Sequence, residues 1–141
     1  MKTAIRTLLT SGGLLCAAGA AALDITDPFL CAVSQVNECL DGFGCEAVLP
    51  EAVNAPTFIW VDVKKKQIRT NHDSTGSRIS NIKELDGRHV LQGASDGTGQ
   101  SVDGAGWTLS IEDETGRFVG AIALQQASIT IFGACTELEL E

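Results

Sequence analysis

The sequence predicts a mainly β protein: an antiparallel meander of about seven strands forming a small barrel or curled sheet, with one short disulfide-tethered N-terminal helix. Three observations carry that expectation. Apolar and polar residues alternate with a period of two along most of Trp107–Cys135, the pattern of strands with one dry face. Short turn signals cut the second half of the chain into hairpins, leaving no room for crossover helices. Four cysteines, Cys31, Cys39, Cys45 and Cys135, join the region near the N-terminus to the last strand.

The first residues read as an export leader. Lys2 and Arg6 precede an apolar run containing Leu8, Leu9, Leu14 and Leu15, and Ala20-Ala21-Ala22 supplies the small residues a signal peptidase needs. The expected organisation is a signal peptide over 1–22, cut after Ala22, and a single β domain over 23–141. Cys16 belongs to the leader, because Gly13-Leu14-Leu15 lacks the residues that precede a lipid-modified cysteine. Export places the protein in the periplasm or outside the cell, where disulfides persist.

Asp27-Pro28 looks like a helix start, and Phe29, Ala32, Val33 and Val36 fit one helical face, so a helix is predicted over 28–40. Asp41-Gly42-Phe43-Gly44 ends it, and residues 45–56 look irregular. Strands follow over 57–63, 67–70, 78–85, 88–92, 107–112, 117–124 and 127–133. Lys64-Lys65-Lys66 and Asp86-Gly87 are turns, and 71–77 and 93–106 are loops. Trp107, Leu109, Ile111, Phe118, Gly120, Ile122, Leu124, Ile129 and Ile131 are expected to face inward and pack into a solid core.

Four cysteines suit two disulfides. Spacings of 8, 6 and 90 residues do not suggest a zinc site. On a helix, Cys31 and Cys39 would lie roughly 12 Å apart at ~1.5 Å per residue, beyond the ~7 Å a bridge spans. Two pairings survive: Cys39–Cys45 with Cys31–Cys135, or Cys31–Cys45 with Cys39–Cys135. The first is preferred because Cys39–Cys45 spans a glycine-rich turn.

The formal net charge is −8, and loss of a leader holding Lys2 and Arg6 makes the remainder more acidic. Such a chain repels phosphate backbones, so no nucleic-acid partner is expected. Candidate chemistry is sparse. His72-Asp73 falls in a polar loop without a recognisable nucleophile nearby, and His89 falls on a strand edge where exposure is expected. Asp96, Asp103, Glu112, Asp113 and Glu114 gather carboxylates but lack the spacing of a calcium loop. The expectation is no catalytic residue, no metal and no cofactor.

Phe132-Gly133-Ala134-Cys135-Thr136, with Trp107 and Gly116 upstream and the strand from Pro56 to Asp62, resembles a group of small exported bacterial proteins of no established function. Ser74-Thr75-Gly76-Ser77-Arg78 is faintly similar to the Ser-x-Ser-Gly loop of periplasmic C-type lysozyme inhibitors, which are small acidic β-barrels, though no Tyr follows here. The expected role is protein–protein contact in the cell envelope, by a monomer without a membrane span after leader removal, on an unidentified partner of basic character. The alternative is a lipocalin-like carrier of a small apolar ligand, which forecasts a cavity of at least about 300 Å³. An enzyme is not expected.

Overall fold

A computed structural model describes residues 22–72, 75–95 and 104–138. Residues 1–21 of the leader expected over 1–22 therefore lie outside the described residues. The strands are β1 (Phe29–Leu40), β2 (Gly44–Val48), β3 (Phe58–Asp62), β4 (Gln67–Thr70), β5 (Ser77–Leu85), β6 (Arg88–Ala94), β7 (Gly106–Glu112), β8 (Arg117–Ala123) and β9 (Ala127–Glu137). A single 3₁₀ turn at Pro50–Val53 follows β2, with Pro at its start, where the missing amide costs nothing. All pairings are antiparallel. β3 to β9 neighbour one another in sequence order, and β1 pairs with both β3 and β9, which closes an eight-stranded barrel. β2 is added outside it, paired to the far half of β1.

The predicted N-terminal helix is not there: Phe29–Leu40 is the longest strand. Its apolar spacing looked helical because a bulge between Val33 and Gln35 shifts the phase. Phe29 and Cys31 face the core before the bulge, and Val36 faces it afterwards. Residues 45–56, expected to be irregular, supply β2 and the 3₁₀ turn. Hairpin pairing then runs down the chain, with Gly87 and Gly116 taking positive φ in their turns. The predicted loop over 93–106 is shorter at both ends, since β6 runs to Ala94 and β7 starts at Gly106.

Both disulfides join residues directly opposite on paired strands. Cys31–Cys135 ties β1 to β9, and Cys39–Cys45 ties β1 to β2. This is the pairing preferred from sequence for its glycine-rich turn; the helix used to argue against a Cys31–Cys39 bridge is absent, but the strand excludes that bridge more firmly. In a strand, eight residues separate Cys31 and Cys39 by roughly 26 Å at ~3.3 Å per residue.

The apolar core lies inside the barrel. On β7, Trp107, Leu109 and Ile111 alternate with Thr108, Ser110 and Glu112, and the inward-facing positions of β7–β9 pack in or against the core. The barrel thus keeps its apolar side chains inside, the reverse of a membrane-spanning barrel, whose apolar band faces lipid. No helix among the described residues is long and apolar enough to cross a membrane.

One end of the barrel is sealed. Phe29, Cys31, Val61, Ile111 and Phe118 are almost fully buried there. Phe118 sits opposite Gly133, and a Cβ at Gly133 would run into both the Phe118 ring and the Ala32 carbonyl. The lead-in strand end closes the base: buried Leu23 donates its N–H to the Asp113 carbonyl at 2.8 Å.

Candidate functional site

The opposite end of the barrel holds a cavity of about 180 Å³. The register shows how it forms. In the middle layer Leu91, Leu109, Gly120 and Ile131 lie side by side across β6, β7, β8 and β9. One layer nearer the mouth, Gly93, Trp107, Ile122 and Ile129 do the same. Ile59 and Ile68 complete the wall from β3 and β4, and Ala55, His72 and Leu124 stand at the rim.

The expectation of a solid core therefore holds at one end only. The cavity is also smaller than the 300 Å³ forecast for a lipocalin-like carrier. Gly120 lines the cavity, but its missing side chain is not what opens it. A Cβ there would lie 2.6 Å from the Ile131 side chain, so Ile131 already fills the gap.

Two features hold the mouth in place. The Asn71 side-chain oxygen accepts the backbone N–H groups of Thr57 and Phe58 at 2.9 and 3.0 Å, pinning the approach to β3. The His72 Nε2 atom lies 3.2 Å from the Ala55 carbonyl. Asp73, half of the His72-Asp73 pair, lies outside the described residues, as do Asp96 and Asp103.

Trp107 is the unusual group. Its ring lies over Gly93 on the neighbouring strand, where a Cβ would overlap the six-membered ring. A glycine opposite an aromatic is a recognised cross-strand device. The indole Nε1 is buried and has no hydrogen-bond partner among the described residues. Sequence alternation marks Trp107 as inward-facing but carries no sign of an unpartnered donor.

His89 is a second correction. Its side chain is only 14% exposed, with Nδ1 2.6 Å from Asp113 Oδ1 and Nε2 4.0 Å from Glu84 Oε2. With both ring nitrogens facing carboxylates, it braces the sealed end beside Leu23, away from the cavity. Glu112 is likewise engaged, accepting the Thr115 hydroxyl at 2.5 Å. Among the described residues no group of three or more His, Cys, Asp or Glu is placed to hold a metal ion.

The electrostatics lie on the outer turns. Backbone donation from Lys65 holds the Asp62 carboxyl below its ordinary pKa, helped by the Lys65 ammonium at 3.1 Å. The Asp27 carboxylate, 2.9 Å away, raises the Lys64 ammonium. The Thr26 N–H lowers Asp24 in the lead-in.

No family model matches this chain, and no curated protein or solved structure matches it either. Gly116 donates its N–H to the Glu112 carbonyl, and its own carbonyl accepts from Cys135, so this turn is built onto the last strand.

Proposed function

We propose that the protein binds a small apolar molecule in the open half of its barrel. The apolar cavity of about 180 Å³, in a barrel whose other half is close-packed, supports this reading. A dry apolar cavity of ~150 Å³ is large enough for benzene or xenon. Export fits the same picture. Ala22 is exposed, and cutting after it would make buried Leu23 the new terminus, with its nitrogen held by the Asp113 carbonyl. The two disulfides suit an oxidising compartment, the periplasm or the exterior.

Toluene is the probe. A titration followed by side-chain NMR should perturb Ile122, Ile129 and Ile131 and raise the melting temperature. Ile122→Phe, which fills the space, should abolish both effects. Absence of toluene binding at millimolar concentration in the folded protein would sink the reading.

A second reading, contact with a basic protein partner, is favoured by the β1–β2 hairpin. Phe43 at its tip is 89% exposed, and Leu49 beyond β2 is 73% exposed. The segment 34–56 carries Glu38, Asp41, Glu46 and Glu51 and neither Lys nor Arg. An apolar tip among acids suits a surface that is both basic and apolar. On this reading, Phe43→Ser with Leu49→Ser removes a salt-sensitive association. An association that survives both changes would exclude the hairpin as the contact.

A further inference from the structure

Resting on the reading that the β1–β2 hairpin meets a basic and apolar surface, we infer that this surface is the free edge of β5 on a second copy of the chain. Strand β2 of one copy adds to β5 of the next, head to tail.

The first observation is topological. A fully closed barrel has no edges, but two strands overhang this one. β2 pairs with β1 alone, so its outer edge has no strand among the described residues. β4 pairs with β5 only at Ser77 and Arg78, and the Lys66 carbonyl takes the Ile79 N–H. From Ser80 to Leu85, β5 has β6 on one side and no described strand on the other. The two edges lie at opposite ends. β2 flanks the part of β1 that pairs with Ile129 and Ile131 at the cavity, whereas the β5–β6 turn lies by His89 at the sealed end. One copy cannot therefore pair its own two edges.

The second is charge. From Ala22 to Val63 the chain has no Lys, Arg or His. Glu38 and Glu46 stand directly opposite each other on β1 and β2, an unfavourable arrangement that a neighbouring cation relieves. Most of the Lys and Arg fall between Lys64 and Arg88. Lys83 on the free stretch of β5, and Arg78 just before it, are exposed and have no ion-pair partner among the described residues. Glu84, the acid beside Lys83, faces His89 at 4.0 Å. The bulge between Ile79 and Asn81 and the lysine discourage indiscriminate strand addition. An acidic strand is the kind that lysine admits.

The third is the choice among pairings. β2 against β2 of a second copy would bring Glu46 towards its own counterpart. β2 against β5 sets acid beside base and adds exposed Leu85 to the apolar contact. The Cys39–Cys45 bridge already holds β2 to β1, which lowers the ordering cost of the contact. Because the two edges differ, the contact does not close on itself at two copies.

Sedimentation velocity on the purified, disulfide-bonded protein tests this. At millimolar concentration and low salt the average mass should rise past that of a dimer. It should fall back in ~1 M salt, where the screening length is about 3 Å. Amide hydrogen exchange over 44–48 and 80–85 should slow as concentration rises. Glu46→Lys and Lys83→Glu should each weaken the association roughly tenfold, by setting like charges together. Mixing the two variants should restore a complex, because one keeps the original β5 and the other the original β2. If either variant does not fold, the exchange pattern of the parent decides.

A protein that stays monomeric, or stops at a dimer protected over 44–48 alone, overturns the assignment of the partner edge and leaves the hairpin reading standing. Association that survives Glu46→Lys and slows no amide over 44–48 sinks both.

Discussion

The two ends of the barrel are made by the same strands and the same device, yet one is packed and the other is hollow. At the sealed end Phe118 lies across Gly133, and at the open end Trp107 lies across Gly93. The difference lies in what surrounds each ring. Phe118 belongs to the same buried cluster as Phe29, Ile111, Val61, Leu23 and the bridged Cys31 and Cys135. Trp107 has aliphatic neighbours on its own sheet face, but among the described residues the space in front of them is the cavity. A glycine–aromatic pair therefore fixes the ring without fixing the packing around it. The core at one end is set by the lead-in segment and the disulfide as much as by the strands.

That contrast can be broken from either side. The largest effect should come from replacing Cys31 and Cys135 together with Ser. The chain-entropy account gives about 4–5 kcal/mol for a loop of that length, against about 2 kcal/mol for the same change at Cys39 and Cys45. Denaturant unfolding reads both, and equal losses would mean the sealed end does not depend on its bridge. Next, Phe118→Ala should cost about 4 kcal/mol, the usual range for a buried aromatic. Ile122→Ala should cost about half as much, because it already faces a void.

Enlargement reverses the order. Val61→Phe forces extra volume into the packed end and should cost about 2 kcal/mol or more. Ile122→Phe should stay within about 1 kcal/mol of the parent, because space exists for it. Calorimetry in which the two behave alike would remove the distinction between the ends.

The smallest effect concerns acid. Asp62 has a lowered pKa in the fold, so its contribution is complete above its unfolded value of about 3.9 and fades as pH falls through the folded value. Asp62→Asn should therefore flatten the decline of melting temperature below about pH 4. It should also lose about 1 kcal/mol near neutrality, the scale of one net hydrogen bond.

Much of the barrel was legible because period-two alternation survives wherever one face is buried and the register is even. That is why β7 to β9 fall close to where the alternation places them, while β3 to β6 follow the apolar runs between turn signals. β1 was lost to its bulge: Phe29 and Cys31 alternate, then Val36 takes up the opposite phase, and the combined spacing imitates a helix. β2 was invisible for another reason. Gly44, Cys45, Glu46 and Ala47 are all exposed, so the strand has no inward face to alternate with. The cavity was hidden more deeply. Alternation says which side chains point inward but not whether their summed volume fills the interior. The missing partner of Trp107 Nε1 and the His89–Asp113 pair both depend on distances that no spacing rule encodes.

The place of β1 in the barrel also sets a sequence of events. Its partner β9 is the last strand, and Cys31 meets Cys135 across 104 residues. A chain emerging N-terminus first makes β1 early and can give it β2 and then β3 within a few tens of residues. It cannot give it β9 until nearly everything has emerged. Until then β1 and the growing edge of the meander both present unpaired backbone, the condition that invites strands of other chains. Pairing at such long range is slow to form. The hairpin with β2 covers the other edge of residues 36–40 from the start, so one edge of that half of β1 is left waiting for β9.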